Sequence, residues 1–149
     1  MRLKKIGDTE KITFYIPETS GSIVRPIVNE DIAAGFPSPA EDFKEIRISL
    51  DKELVQNENA TFYARVRGNS MVDANIEDGD LLVIDRSIET RDGKIAVCML
   101  DGEFTIKRLK VEQDCMYLMP ENSNYKPIKV TEENELIIWG IVTYVVKKV

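Results

Sequence analysis

The 149-residue chain contains no histidine. That excludes the Ser-His-Asp and Cys-His machines, in which an imidazole takes the nucleophile's proton. Cysteine is scarce too: Cys98 and Cys115 stand 17 residues apart, with no C-x-x-C spacing and no histidine to complete a metal set. No metal and no cofactor are expected. Cys98 falls inside the apolar run Ile95-Ala96-Val97-Cys98-Met99-Leu100 and reads as a buried free thiol, which suits a reducing, cytoplasmic setting. Long apolar stretches are missing as well. The longest, Leu136 to Val146, is 11 residues, about half of what a bilayer-crossing helix needs. The opening Met1-Arg2-Leu3-Lys4-Lys5 has no apolar core of a secretory signal behind it, so no membrane role is expected. Nor is there an excess of positive charge. Residues 1–34 carry five Lys/Arg and five Asp/Glu, whereas residues 35–149 carry 15 against 21, which is the whole net charge of −6. Strong direct nucleic-acid binding needs clustered cations to neutralise phosphates and is not expected. The small basic group Lys107, Arg108 and Lys110 reads mainly as the solvent edge of one strand.

What the chain does have is β structure. Thr61 to Arg67 alternates towards a turn at Gly68, Asp80 to Asp85 is a short apolar strand, and Met116 to Met119 and Leu136 to Lys147 add two more. Lys94 to Leu100 and Glu103 to Leu109 flank Asp101-Gly102, a two-residue type I′ hairpin signal. Asp51 to Asn57 reads as a short helix capped by Asp51. Six or so short strands at this spacing predict a mainly β fold, a compact and strongly bent sheet or partial barrel. Residues 1–34 read as an extended N-terminal arm with one short strand at Ile12–Ile16. Pro37 and Pro39, at alternate positions near the end of 31–39, mark a linker and boundary.

Without histidine, a serine nucleophile needs another base, and a desolvated lysine can serve. Ser70, in Gly68-Asn69-Ser70-Met71, and Lys107, in Glu103-Phe104-Thr105-Ile106-Lys107, are the candidates. At pH 7 only about 0.04% of free lysine is uncharged, so the fold must disfavour the ammonium by roughly 4 kcal/mol for Lys107 to act as a base. Strand alternation puts Thr105, Lys107 and Leu109 on one face and Phe104, Ile106 and Arg108 on the other. Both faces mix polar and apolar residues, so periodicity does not say which is inside. Gly68 permits a sharp turn, after which the Asn69 and Ser70 N–H groups can converge as a tetrahedral oxyanion requires. Taken singly, each of these residues has an ordinary structural explanation.

Together they resemble a family. Gly68-Asn69-Ser70-Met71 is similar to the nucleophile motif of the LexA/UmuD self-cleaving serine peptidases. Asp78-Gly79-Asp80-Leu81-Leu82-Val83-Ile84-Asp85 resembles the strand that follows it there, and Asp101 to Leu109 the hairpin bearing the family's lysine. Ile32-Ala33-Ala34-Gly35 resembles the cleavage site, and Gly35-Phe36-Pro37-Ser38-Pro39 is similar to the UmuD branch in particular. The spacings of 35 residues from Gly35 to Ser70 and 37 from Ser70 to Lys107 agree with it.

The resemblance implies a LexA/UmuD-type catalytic domain over 35–149 and an arm, 1–34, removed by self-cleavage at Ala34-Gly35. It implies Ser70 as nucleophile, Lys107 as general base, and the Asn69 and Ser70 amides as the oxyanion hole. It further implies an SOS-response homodimer whose cleavage is stimulated by a RecA-type filament on single-stranded DNA. The shortened product would then serve a UmuC-like Y-family polymerase that copies damaged templates. A LexA-like or prophage repressor is the alternative; it calls for a helix-turn-helix module, for which 34 uncharged-on-balance residues are too few. The segment before the cleavage site is longer than UmuD suggests by about one short strand.

Overall fold

A computed structural model describes residues 2–8, 12–18, 24–28 and 45–149. Its strands in chain order are β1 (Arg2–Asp8), β2 (Ile12–Glu18), β3 (Val24–Val28), β4 (Glu45–Ser49), β5 (Thr61–Val66), β6 (Leu81–Asp85), β7 (Ile95–Leu100), β8 (Glu103–Val111), β9 (Met116–Met119), β10 (Ile128–Val130) and β11 (Leu136–Val146). Nine form one antiparallel sheet in the order β1-β2-β5-β6-β11-β7-β8-β9-β10, while β3 and β4 pair separately. The mainly β, strongly bent sheet expected from the sequence is what is found, and it does not close.

The bend can be measured. In the sheet order β2 and β8 are five strand steps apart, which is roughly 24 Å in a flat sheet. Yet the rings of Phe14 on β2 and Phe104 on β8 lie 4.9 Å apart, so the sheet curls back on itself. β11 is the pivot. Its first half pairs with β7 and its second half with β6, and a register shift interrupts each ladder, at Ile138/Gly140 and at Val142/Tyr144. Such bulges sharpen local twist and bend a strand. Inside the curl, Phe14, Ile12, Val66, Met71, Leu82, Ile84, Val97 and Ile106 form the main core. A second cluster of Ala96, Cys98, Leu109, Leu118 and Ile141 fills the other face of β7 and β8. Burying both faces explains why β6 and the middle of β8 lack a clean polar/apolar alternation.

Local chemistry accounts for the turns. Asp101 and Gly102 both have positive φ, 50° and 85°, as a type I′ hairpin demands. The Asp101 carboxylate also accepts from the Asn134 amide and the Glu135 N–H, tying the turn to the start of β11. The helix differs from expectation. It is α1, Leu50–Leu54, with Ser49 and not Asp51 at the N-cap. Asp51 lies in the first turn, where its carboxylate accepts from the Ser49 hydroxyl and the Lys52 N–H. The helix therefore starts directly off β4, two residues earlier than its capping chemistry suggested.

The N-terminal residues contribute more than one short strand: β1, β2 and β3 all lie within 1–34. β2 joins the main sheet through Ile12↔Val66, Thr13↔Arg65, Phe14↔Ala64 and Tyr15↔Tyr63. Alternate residues Ile12 and Phe14 are 1% and 6% exposed, and that burial holds β2 in place. The linker 31–39, the boundary between 34 and 35, and the Ala34-Gly35 bond lie outside the described residues.

Candidate active site

β5 ends at Val66, and Arg67 to Met71 run on as an irregular loop into a 3-10 turn at Val72–Ala74. Gly68, at φ +95°, makes the reversal that a side-chain-bearing residue resists. The loop is fixed from several directions. The Gly68 N–H donates to the Asp78 carboxylate at 2.9 Å. The Asn69 carbonyl accepts from the Asn122 side chain at 2.7 Å, and the Asn69 side-chain oxygen from the Tyr125 hydroxyl at 3.0 Å. Arg67 donates to the Thr13 hydroxyl at 2.7 Å, which joins the loop to β2. Met71, 2% exposed, anchors the far end in the core. Ser70 is left half-buried between these supports, facing a cleft of about 300 Å³.

Lys107 comes from β8, four steps across the sheet from β5, and the curl closes that distance. Its Nζ lies 3.4 Å from Ser70 Oγ. The same amine is 2.8 Å from the Thr105 hydroxyl and 3.1 Å from the Ile106 carbonyl oxygen. Lys107 is 7% exposed, and burial makes an ammonium costly relative to an amine. So Lys107 is not part of a solvent edge. Its two companions in the small basic group are neutralised instead, Arg108 by Glu121 and Lys110 by Glu112. Cys98 is the other reactive side chain close by. Burial pushes its thiol up to about 12, against a lowering by the charge of Lys107, so it stays protonated and does not compete as a nucleophile. Both cysteines are free thiols.

Among the described residues the Asn69 and Ser70 N–H groups have no hydrogen-bond partner. Two such donors beside a serine hydroxyl and a buried amine are the kinds of group from which an acyl-transfer centre can be built. The structure thus brings Ser70, Lys107 and Asn69 together. The expected cleavage residues Ala34 and Gly35 are outside the described residues.

Sequence reasoning had not given Thr105, Asn122 or Tyr125 a part in the site. Thr105 was legible in principle, because i and i+2 share a strand face. Asn122 and Tyr125 reach Asn69 from more than fifty residues away and carried no local signal. The Asn69 side chain serves as acceptor for the Tyr125 hydroxyl.

Residues 26–143 match the Peptidase S24-like family, and the chain belongs to that family of serine peptidases. Protein MucA of Salmonella typhimurium is 40% identical over 121 residues, 80% of this chain and 82% of MucA. Protein ImpA of Shigella flexneri is 37% identical over 132 residues, 89% of this chain and 90% of ImpA. A LexA repressor from Oleidesulfovibrio alaskensis is 39% identical over 115 residues, 77% of this chain but 55% of the repressor. Within the family the chain is a UmuD-like member: it spans most of MucA and ImpA but only about half of the repressor. Among the described residues no helix is long and apolar enough to cross a membrane.

Proposed function

We propose that Ser70 and Lys107 form the catalytic dyad with which the chain cuts its own Ala34-Gly35 bond. The uncharged Lys107 amine takes the proton of the Ser70 hydroxyl, and Oγ attacks the Ala34 carbonyl carbon. The oxyanion that forms accepts from the Asn69 and Ser70 N–H groups. The Lys107 ammonium then passes its proton to the Gly35 nitrogen as the C–N bond breaks, leaving residues 1–34 esterified to Ser70. Water, deprotonated by the same amine, hydrolyses the ester and restores the hydroxyl.

One observation carries this reading: a buried lysine amine 3.4 Å from a serine hydroxyl in a chain without histidine. The UmuD-like relationship supports the wider setting. In that setting the protein is a cytoplasmic homodimer whose scissile segment docks in a minor population, and a RecA-type filament on single-stranded DNA increases that population. The 115-residue product then acts as accessory subunit of a UmuC-like Y-family polymerase.

The test is mass spectrometry of purified protein incubated with and without such a filament. Wild type should yield a 115-residue fragment beginning at Gly35, faster with filament, and Ser70→Ala should yield none. A fragment from Ser70→Ala at the wild-type rate overturns the assignment, and a rate indifferent to filament overturns the stimulation.

A further inference from the structure

The position of the cut relative to the strands has a consequence of its own. Two sets of strand pairs connect the chain before residue 34 with the chain after residue 35. β2 pairs with β5 through four residue pairs, and β3 pairs with β4 through five, from Val24↔Ser49 to Val28↔Glu45. The 34–35 bond lies in the connection between β3 and β4, so breaking it removes a covalent tie and none of these ladders. β2 also contributes to the main core. Ile12 and Phe14 are buried in it, and the Phe14 ring lies 4.9 Å from both Phe104 and Trp139. Thr13 holds Arg67 at the start of the Ser70 loop.

We propose that the excised N-terminal segment stays in the molecule after the cut as a non-covalent pair of sheet strands. Scission then yields a nicked protein first, and the 115-residue form stands alone only once the excised piece is displaced. β5 and the Phe104–Trp139 surface remain covered by residues 12–15 of the excised piece. They become available when that piece is displaced, and the occupant that must be displaced is this chain's own β2. The inference rests on the self-cleavage reading for its biological meaning, but the strand pairing that carries it does not depend on Ser70.

The experiment uses that independence. Residues 31–38 are replaced by the recognition sequence of an added site-specific protease in full-length Ser70→Ala protein, so the nick is made whether or not the dyad works. After complete nicking, verified by denaturing mass spectrometry, the sample is passed over a native size-exclusion column at micromolar concentration. Both pieces should elute together. The emission of Trp139, the one tryptophan of the chain, should match that of uncut protein, because Phe14 still covers it. In the same background, Phe14→Ala should speed loss of the small piece by about a hundredfold, as expected for removing a large buried side chain. If the wild-type-core protein sheds its N-terminal piece on the column and Trp139 emission moves to the red, the inference is overturned. A Phe14→Ala protein that retains the piece as long as its parent overturns the role given to β2. Self-cleavage that fails elsewhere leaves both outcomes readable.

Discussion

The loop that carries Ser70 and the strand β2 lie beside the same cleft, yet they are held in opposite ways. The loop is fixed by directional polar contacts: Asp78 on Gly68, and Asn122 and Tyr125 on Asn69. β2 is fixed by a backbone ladder and two buried apolar side chains. Polar pins define position to a fraction of an ångström and contribute modest net stability. Apolar burial contributes more stability and tolerates small shifts. The difference matches the tasks proposed for the two regions. A hydroxyl must meet an amine at hydrogen-bonding distance, whereas a covering strand must only stay on or come off. Substitutions in the two regions should therefore separate chemistry from cohesion.

The sharpest separation is expected from Lys107→Met. Self-cleavage should fall at least about a thousandfold with loss of the base. The melting temperature should hold, because methionine fills the volume of the stem without burying an amine. A large fall in melting temperature would show that Lys107 is structural. Phe14→Ala should do the reverse. It should destabilise the seating of β2 by about 3 kcal/mol, read as faster hydrogen exchange at residues 12–15, while the Asp78, Asn122 and Tyr125 contacts of the Ser70 loop remain. Asn122→Ala takes from the Asn69 carbonyl the side-chain donor that holds it. Cutting should slow about tenfold, with β2 exchange unchanged. Thr105→Val removes an acceptor from the amine, so the alkaline rise in rate should begin at lower pH, since the ammonium has lost a partner. A profile unmoved by the substitution would remove Thr105 from the site.

The smallest effect concerns Lys147, whose amine lies 2.6 Å from Asp80 and 3.0 Å from Glu77. The hydrogen bond to Asp80 is the main cause holding its pKa above the usual lysine value. A cation raised in this way stabilises the fold fully below the ordinary lysine range, and the contribution is lost as pH rises beyond it. Assays of cutting up to pH 10 should thus leave this pair intact. A melting temperature that falls steeply between pH 8 and 10 only when Lys147 is present would contradict that sign.

Much of the half that carries Ser70 and Lys107 was legible because its signals are local. Asp101-Gly102 fixes its own hairpin, and that hairpin delivers Lys107. Gly68-Asn69-Ser70-Met71 is short and shares its spacing with a known family. The N-terminal half was less legible. Ile12 and Phe14 show the alternation of a strand, but nothing nearby says that their partner is β5, some fifty residues on. Pro17 and Pro26 obscured β2 and β3, which accommodate them near a strand end and in a separate two-stranded ladder. The face of β8 was undetermined by periodicity because both faces are covered, Ile106 at 6% and Leu109 at 1% exposure on opposite sides. The approach of Lys107 to Ser70 depends on the curl of a nine-stranded sheet, which only tertiary packing sets.

The central claim is that a buried lysine amine activates Ser70 for attack on the chain itself. Its most direct test is the rate of appearance of the 115-residue fragment between pH 7 and pH 10, followed by mass spectrometry in wild-type and Lys107→Ala proteins. The account predicts a wild-type rate that climbs with pH as the amine loses its proton, and no fragment from Lys107→Ala at any pH. A Lys107→Ala protein that cuts before Gly35 with the wild-type rate and pH profile would contradict it.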